Sequence, residues 1–389
     1  MPLKPSQILH QLYAKQADFT SFDQDTLYLL QKYHDAVTHT ARQTAAEVTE
    51  QLHTRSLENP GATPLEPWTT ATRWVIPFGQ QWPSREASLS WVRDRLTGIS
   101  TFAVDGSQIF PSKDLSIPIA LVQVGWYENR HLPSGRYEKD IDLDVMTPVD
   151  LQVGDGEEMR DRRVNMRRFQ METQRLIQYM RDHAHADNCL VFFDGSLIVT
   201  FAEAFDLEIR SFYLQCVVDL LRASEDYQIP LVGYIDTSYA RDLTVMLQGL
   251  HTLPEARMLH DAQLVNRGMQ WGDRTPLFRC DRSGILSHYQ DQSHRLGFTY
   301  TKMHDGPPVR LEFPLWLYED NRLEQVLDWI RGEVIIGSGY PYVIETADQT
   351  AVLQMSDRQA FYRIVQDWAT QANLDLRLSR KMVSKARRR

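Results

Sequence analysis

Three apolar runs in this chain each end on an aspartate followed by a small residue and a serine: Val104-Asp105-Gly106-Ser107, Phe193-Asp194-Gly195-Ser196 and Ile235-Asp236-Thr237-Ser238. The β-branched and aromatic residues before each aspartate favour strands. Between the second and third runs lies EAFDLEIRSFYLQCVVDLLRASEDY, an amphipathic helical pattern. Strand, helix, strand in that order implies α/β layering. In an open α/β sheet reactive groups lie at the carboxyl ends of strands, so aspartates distant in sequence can converge. Buried like charges repel, and a divalent cation is the usual remedy. The competing explanation is turn chemistry, in which Asp bonds its own backbone and Gly takes a positive φ. That accounts for any single exit more readily than for the two identical ones at Asp105 and Asp194.

Two further carboxylates stand out. Residues 157 to 182 form a helix on the spacing of Met166, Phe169, Leu176, Ile177 and Met180. Glu172 follows Phe169 by three residues and precedes Leu176 by four, so it shares the apolar seam rather than the wet face. It is either satisfied by Arg168 or Arg175, or free for metal ligation or general-base work. Asp348 follows the aromatic, Pro-containing stretch Tyr340-Pro341-Tyr342, which delivers it at a helix start. There it either complements the helix dipole or joins the acidic set, with Glu345 as its rival.

The remaining sequence is that of a soluble enzyme-sized body. Residues 7 to 56 read as mainly helical, with Ile8, Leu12, Leu27, Leu29, Leu30 and Tyr33 in a stretch free of Gly and Pro. NPGATPLEPW breaks that pattern, and Trp68, Trp74, Trp82 and Trp91 fall in a connecting region. Residues 1–95 are therefore read as an N-terminal helical extension and linker, 96–360 as the main domain, and 361–389 as a C-terminal helix and basic tail. STFAVDGSQ, closed by a turn signal, IPIALVQVGWYE, FTYTKMH and VRLEFPLWLY read as further strands, and 321–331 as a helix.

The apolar stretch Ile117–Tyr127 is too short to span a bilayer and is interrupted by Gln123, and the start lacks an apolar signal core. Cys189, Cys216 and Cys280 show no CxxC spacing; they read as packed thiols and suit a reducing cytoplasm. A formal net charge of −9 argues against coating nucleic acid by bulk electrostatics, so any DNA contact must be local. Basic clusters occur at Arg160, Arg162, Arg163, Arg167, Arg168 and Arg175, and at Arg380, Lys381, Lys385, Arg387, Arg388 and Arg389. A solvated helix face and a frayed tail are the simpler accounts of both.

Together FAVDGSQ, RRFQMETQRL, LVFFDGSL, DAQLV with WGDRTPLF, VRLEFPLW and GYPYVIETAD, in that order from about Thr101 to Leu353, resemble the NurA nucleases that partner the HerA hexameric ATPase in processing DNA ends. The resemblance implies an RNase H-like mixed β-sheet flanked by helices, with a metal-binding constellation of Asp105, Glu172, Asp194 and Asp348. It implies Mn²⁺ or Mg²⁺, one cation activating water and another stabilising the leaving oxygen. It also implies 5′→3′ action on DNA ends in double-strand break repair, a homodimer, and a HerA-type ATPase as partner in the cytoplasm. Asp348 stands where archaeal members carry His, which shifts the expected preference toward harder ions. Relatives are expected to carry a basic residue near Asp236, which sets that aspartate apart from the catalytic set.

Arg168 and Arg274 are candidates to position phosphates, and Tyr239 to stack on a base; ion pairing and structural packing are the alternatives. Rival functions are another metal-dependent phosphoesterase and a non-catalytic adaptor of the ATPase. Ser-His-Asp hydrolysis is disfavoured, because no GxSxG elbow occurs.

Overall fold

The computed structural model describes residues 3–68, 74–152 and 156–377. The basic cluster from Arg380 onward lies outside the described residues. Along the chain come α1 (Pro5–Ala14), α2 (Gln16–Thr40), α3 (Ala45–Thr54), β1 (Gly61–Pro64) and α4 (Arg85–Leu96). There follow β2 (Ser100–Ile109), β3 (Ala120–Asn129), β4 (Tyr137–Met146), α5 (Glu157–Asp182), β5 (Cys189–Asp194), α6 (Leu207–Tyr227) and β6 (Leu231–Ile235). The remainder is α7 (Asp242–His251), α8 (Asp261–Val265), β7 (Phe278–Asp281), β8 (Leu296–Thr301), β9 (Val309–Pro314), α9 (Trp316–Glu319), α10 (Leu323–Ile336), α11 (Tyr342–Ala351) and α12 (Met355–Gln371).

Two compact units emerge. One joins Met1–Gln81 to Ile235–Leu286 and Leu296–Leu311; the other joins Trp82–Tyr234 to Ser287–Arg295 and Glu312–Arg389. The sequence reading had set residues 1–95 apart as an extension and linker. Instead β1 pairs antiparallel with β7, from Gly61↔Asp281 to Pro64↔Phe278, which ties the N-terminal segment to chain more than 200 residues away. Trp68 and Trp74 are buried against Phe278, while Trp91 belongs to α4 in the other unit. No local signal reports a strand partner at that separation.

In the first unit β7 also pairs antiparallel with β8. Asp242 is buried between Arg282 and Arg310, a charge satisfied from two sides. Helix α1 buries no residue, and Leu9, Leu12, Tyr13, Phe19, Phe22, Leu27 and Tyr28 of α1 and α2 remain exposed.

The second unit carries the strand order β6-β5-β2-β3-β4. Strands β2, β3 and β4 form an antiparallel meander, while β5 runs parallel to β2 and β6 parallel to β5. This is the RNase H-like mixed sheet, flanked by helices. Helix α5 buries Phe169, Leu176 and Met180 of the row read from the sequence, with Val164 beside them, while Met166 and Ile177 of that row are half-buried. Phe102 of β2 stacks on Tyr179 of α5 with ring centroids 3.9 Å apart. Strand β4 was absent from the sequence reading. Its outward N–H groups at Ile141 and Leu143 are taken by the side chains of Asp140 and Asp142, each at 2.9 Å, which blunts an exposed edge.

Candidate active site

Strand register brings the first two aspartates together. The parallel ladder pairs Thr101 with Leu190 and Ala103 with Phe192. Two residues further along both strands come Asp105 and Asp194, on neighbouring strands about 4.8 Å apart. The two Asp-Gly-Ser sequences nevertheless differ in backbone. Asp194 closes β5 and is followed by Gly195 at φ +134°, a true strand exit. Asp105 lies inside β2, which continues to Ile109 opposite Leu121 of β3. The turn signal read there is not a turn, because the antiparallel partner runs on beside it. Since β5 stops while β2 continues, the flank of β2 beyond Asp105 is left open on that side.

Two glycines let helices close on the sheet around Asp105. Gly125 of β3 is the cross-strand partner of Asp105. A Cβ there would stand 2.6 Å from the Ala351 nitrogen and 2.8 Å from the Thr350 carbonyl carbon, so α11 rests directly on the strand at that point. Gln123 donates to the Ala351 oxygen at 2.9 Å, and Leu353 N–H donates to Ser107 Oγ at 3.3 Å, which fixes the end of α11 against β2 and β3. At Gly106 a Cβ would stand 2.3 Å from Glu172 Oε1 and 2.6 Å from Arg168 Cγ, so α5 comes equally close. Adjacent strand residues face opposite sides. Helices α11 and α5 therefore approach Asp105 and Gly106 from the two faces of the sheet, bringing Asp348 and Glu172.

Helix α11 begins at Tyr342, behind Pro341, so Asp348 sits well inside it rather than at its start. The dipole explanation of Asp348 fails accordingly; Glu345 occupies the first turn, exposed, and accepts from Gln349.

The electrostatics record the convergence. Burial, then the carboxyl of Asp348 at hydrogen-bond reach and the charge of Asp194, push Asp105 up to about 6. Burial pushes Glu172 up to about 7; Arg168 opposes this, while Asp105 and Asp194 add to it. All four sequence-selected carboxylates thus belong to one neighbourhood. Arg168 stands 3.2 Å from Glu172 Oε1 and donates to the Gly106 oxygen at 3.2 Å. Arg175 is not a partner of Glu172: its guanidinium lies over Phe102 and Trp126, at 4.9 and 4.3 Å from the ring centroids.

Among the described residues no group of three or more His, Cys, Asp or Glu side chains is drawn together as a formed metal site. Glu172 is engaged by Arg168, and Asp194 accepts from the Tyr340 hydroxyl at 3.0 Å. The residues fit a divalent cation by donor type and placement. They are hard oxygen donors, burial pushes two of them up to about 6 and about 7, and Glu172 Oε1, beside Arg168, accepts no hydrogen bond.

The other sequence candidates lie elsewhere. Arg274, expected to contact phosphate, is 1% exposed, and its fork is filled by both oxygens of Glu66 at 2.6 and 2.7 Å. It is an internal ion pair of the first unit. Asp236 is also in that unit, exposed and 3.2 Å from His304 Nε2. Tyr239, also there, is 71% exposed with its ring edge-on to His260. The arginines of α5 are largely paired locally, Arg162 with Glu158, Arg163 with Gln152 and Arg167 with Asp144. Sequence reasoning missed Tyr340. The only available signal was its place in GYPY, eight residues before Asp348.

The loop after Asp194 is held from beneath. Ser196 Oγ and Leu197 N–H both donate to buried Glu312, at 2.9 and 2.8 Å, and the Tyr289 hydroxyl donates to the Leu197 oxygen.

No curated protein sequence matches the chain. Among solved structures, endonuclease V of Bacillus subtilis is 12% identical with a TM-score of 0.33, covering 74% of this chain and 96% of its own. The catalytic domain of human endonuclease V is 15% identical with a TM-score of 0.32, covering 75% and 92%. Ciona intestinalis endonuclease V, in complex with a DNA 24mer containing inosine followed by a ribo-adenosine, is 12% identical with a TM-score of 0.26, covering 72% and 97%. The family model described as the NurA domain matches residues 99–353, which span β2 to the end of α11 and include every carboxylate of the site. The chain belongs to the NurA family.

Proposed function

We propose that the protein is a metal-dependent DNA nuclease that hydrolyses phosphodiester bonds at the Asp105, Glu172, Asp194 and Asp348 cluster. One observation carries the reading: the parallel register of β2 and β5 sets Asp105 beside Asp194, and α11 brings Asp348 to the same point. Bound Mn²⁺ or Mg²⁺ would supply an activated water and stabilise the leaving oxygen. The chain's own residues supply the rest. Asp105 and Asp194, on adjacent strands, and Glu172 and Asp348, on helices, present the oxygens. Tyr340 fixes the rotamer of Asp194. Arg168, beside Glu172, is the cation placed to meet a phosphate, and exposed Tyr239 is a further proposed DNA contact.

The finer role we infer is 5′→3′ exonuclease action, with single-strand endonuclease action as a second mode, on DNA ends in double-strand break repair in the cytoplasm. A homodimer and a HerA-type ATPase partner belong to the same proposal. The exposed apolar residues of α1 and α2, and Ile141, Leu143 and Val145 on β4, support a life in assemblies. No helix among the described residues is long and apolar enough to cross a membrane. The same apolar surface is what an adaptor would use, and an adaptor would keep partner binding and show no change with Asp105→Ala.

The test is degradation of end-labelled single- and double-stranded DNA with Mn²⁺, Mg²⁺ or EDTA, with and without an ATPase partner. Cleavage that requires the cation and disappears in Asp105→Ala and Asp194→Ala supports the proposal; cleavage undiminished in both variants rejects the site. Tyr340→Phe is expected to lower kcat by about tenfold, the lower end of the loss seen when a partner orienting a ligand is removed. Unchanged kcat in that variant would mean that the hydroxyl does not orient Asp194.

A further inference from the structure

Glu333 of α10 is fully buried, and its carboxylate gathers partners from three separate segments. Thr101 Oγ1 on β2 donates to Oε1 at 2.6 Å, His131 Nε2 just beyond β3 stands 2.9 Å from the same oxygen, and the Val343 N–H in the first turn of α11 donates to Oε2 at 3.0 Å. None of these residues belongs to the carboxylate cluster, but Thr101 and Val343 are built into elements that carry it, β2 and α11. Thr101 precedes Asp105 by four residues on the same strand. Val343 lies between Tyr340, which holds Asp194, and Asp348.

A helix start leaves backbone N–H groups without partners. At α11 the N-cap is Pro341, which has no side-chain acceptor, so the cap is delivered from another helix by Glu333. His131 adds a second hold on β2, its Nδ1 standing 2.7 Å from the oxygen of Ile99, the residue before the strand. Burial alone would lower His131, yet contact with Glu333 outweighs it and leaves the ring raised toward the charged form. A full charge in the interior is thereby matched.

We propose that Glu333 is a positioning residue of the nuclease site: one buried carboxylate clamps the strand bearing Asp105 to the start of the helix bearing Asp348 and so sets the separation of those two metal-ligating groups. This rests on the nuclease reading. A carboxylate that served packing alone would affect stability and leave the site's cation affinity unchanged. Glutamine can keep the clamp. Its amide oxygen accepts from Val343 N–H, while its NH₂ meets the Thr101 hydroxyl and a neutral His131 Nε2, both able to accept. Alanine cannot.

The experiment is calorimetric titration of Mn²⁺ into the full chain, with steady-state cleavage of end-labelled DNA, for wild type, Glu333→Gln, Glu333→Ala, Thr101→Val and Asp105→Ala. Glu333→Ala is expected to lose about 10- to 100-fold in Mn²⁺ affinity and in kcat with KM for DNA unchanged, the range found when groups behind metal ligands are removed. Glu333→Gln stays within about threefold of wild type, since it restores the acceptor to Val343. Wild-type Mn²⁺ affinity in folded Glu333→Ala, or equal losses in the Ala and Gln variants, overturns the clamp. Where Glu333→Ala does not fold, Thr101→Val decides: a several-fold weaker Mn²⁺ affinity supports the clamp and unchanged affinity overturns it. Wild type that neither binds Mn²⁺ nor cleaves DNA overturns the nuclease reading, and the clamp with it, an outcome visible without any variant.

Discussion

Asp105→Asn is expected to reduce metal-dependent DNA cleavage by at least about a thousandfold, because a held cation supplies several kcal/mol of transition-state stabilisation and each 1.4 kcal/mol is a factor of ten. Among the four carboxylates Asp105 is the one touched by all the geometry: it sits opposite Gly125, beside Asp194, and within reach of Asp348. The fold should survive the change. Burial and the neighbouring acids hold Asp105 at about 6, so ionising it near neutral pH works against folding, and a neutral amide relieves that strain. The expected pair of results is therefore lost cleavage with a melting temperature equal to or above wild type. Cleavage within a few fold of wild type would remove Asp105 from the site; lost cleavage together with a collapsed Tm would make its role structural.

Gly125→Ala is the second large expectation, and it acts without touching any carboxylate. The new methyl would lie 2.6, 2.8 and 2.9 Å from backbone atoms of Ala351 and Thr350. Backbone in a helix pinned by Gln123 and Ser107 cannot turn aside as a side-chain tip can. Overpacking of this kind costs about 1–3 kcal/mol. Lifting α11 also withdraws Asp348 from Asp105, and misplacement by about 1 Å is enough for a loss on the order of a hundredfold. Differential scanning calorimetry and the end-label assay together check this. A Gly125→Ala protein with wild-type kcat would show that the approach of α11 is not what places Asp348.

How far the sequence reaches is clear from these residues. Aspartates at the ends of apolar runs marked Asp105 and Asp194, with Asp236 among them, and a glutamate within the apolar seam of a helix marked Glu172; these are local patterns, whereas Asp348 was marked by the aromatic, Pro-containing stretch before it and by the family resemblance. The α/β layering is equally local, because hydrophobic period and turn residues are read within one element. What the sequence withheld is pairing. Nothing near Asp105 states that β2 runs parallel to β5 in a register that matches it with Asp194. Tyr340 matters through a contact across 146 positions, and Arg274 is consumed by Glu66 across 208. Strand β4 escaped because Asp and Glu, which are depleted in strands, occupy alternate positions of YEKDIDLDV. The start of α11 was misplaced because its cap comes from Glu333 in a different helix, where no local capping residue could announce it.

The acidity of the cluster also ties cation binding to pH. The ordinary values of 3.8 for Asp105 and 4.5 for Glu172 rise to about 6 and about 7 in the folded chain, with burial the first cause in both. The folded state thus keeps protons that the unfolded chain releases. Without a cation, their contribution to stability is fully present below the ordinary values and is lost as pH rises through about 6 and about 7. A cation that binds the ionised carboxylates offsets this loss, so the rise in Tm on adding Mn²⁺ should be larger above pH 7 than below pH 6.

Calorimetric titration of Mn²⁺ into wild type, Asp105→Asn and Glu172→Gln, above and below those pH values, measures the gathered carboxylates themselves. Saturable binding by wild type that weakens in acid with proton uptake at the site, and that is lost in both variants, is the predicted result. Wild type that takes up no Mn²⁺ above pH 7, or variants that bind it as wild type does, would contradict it.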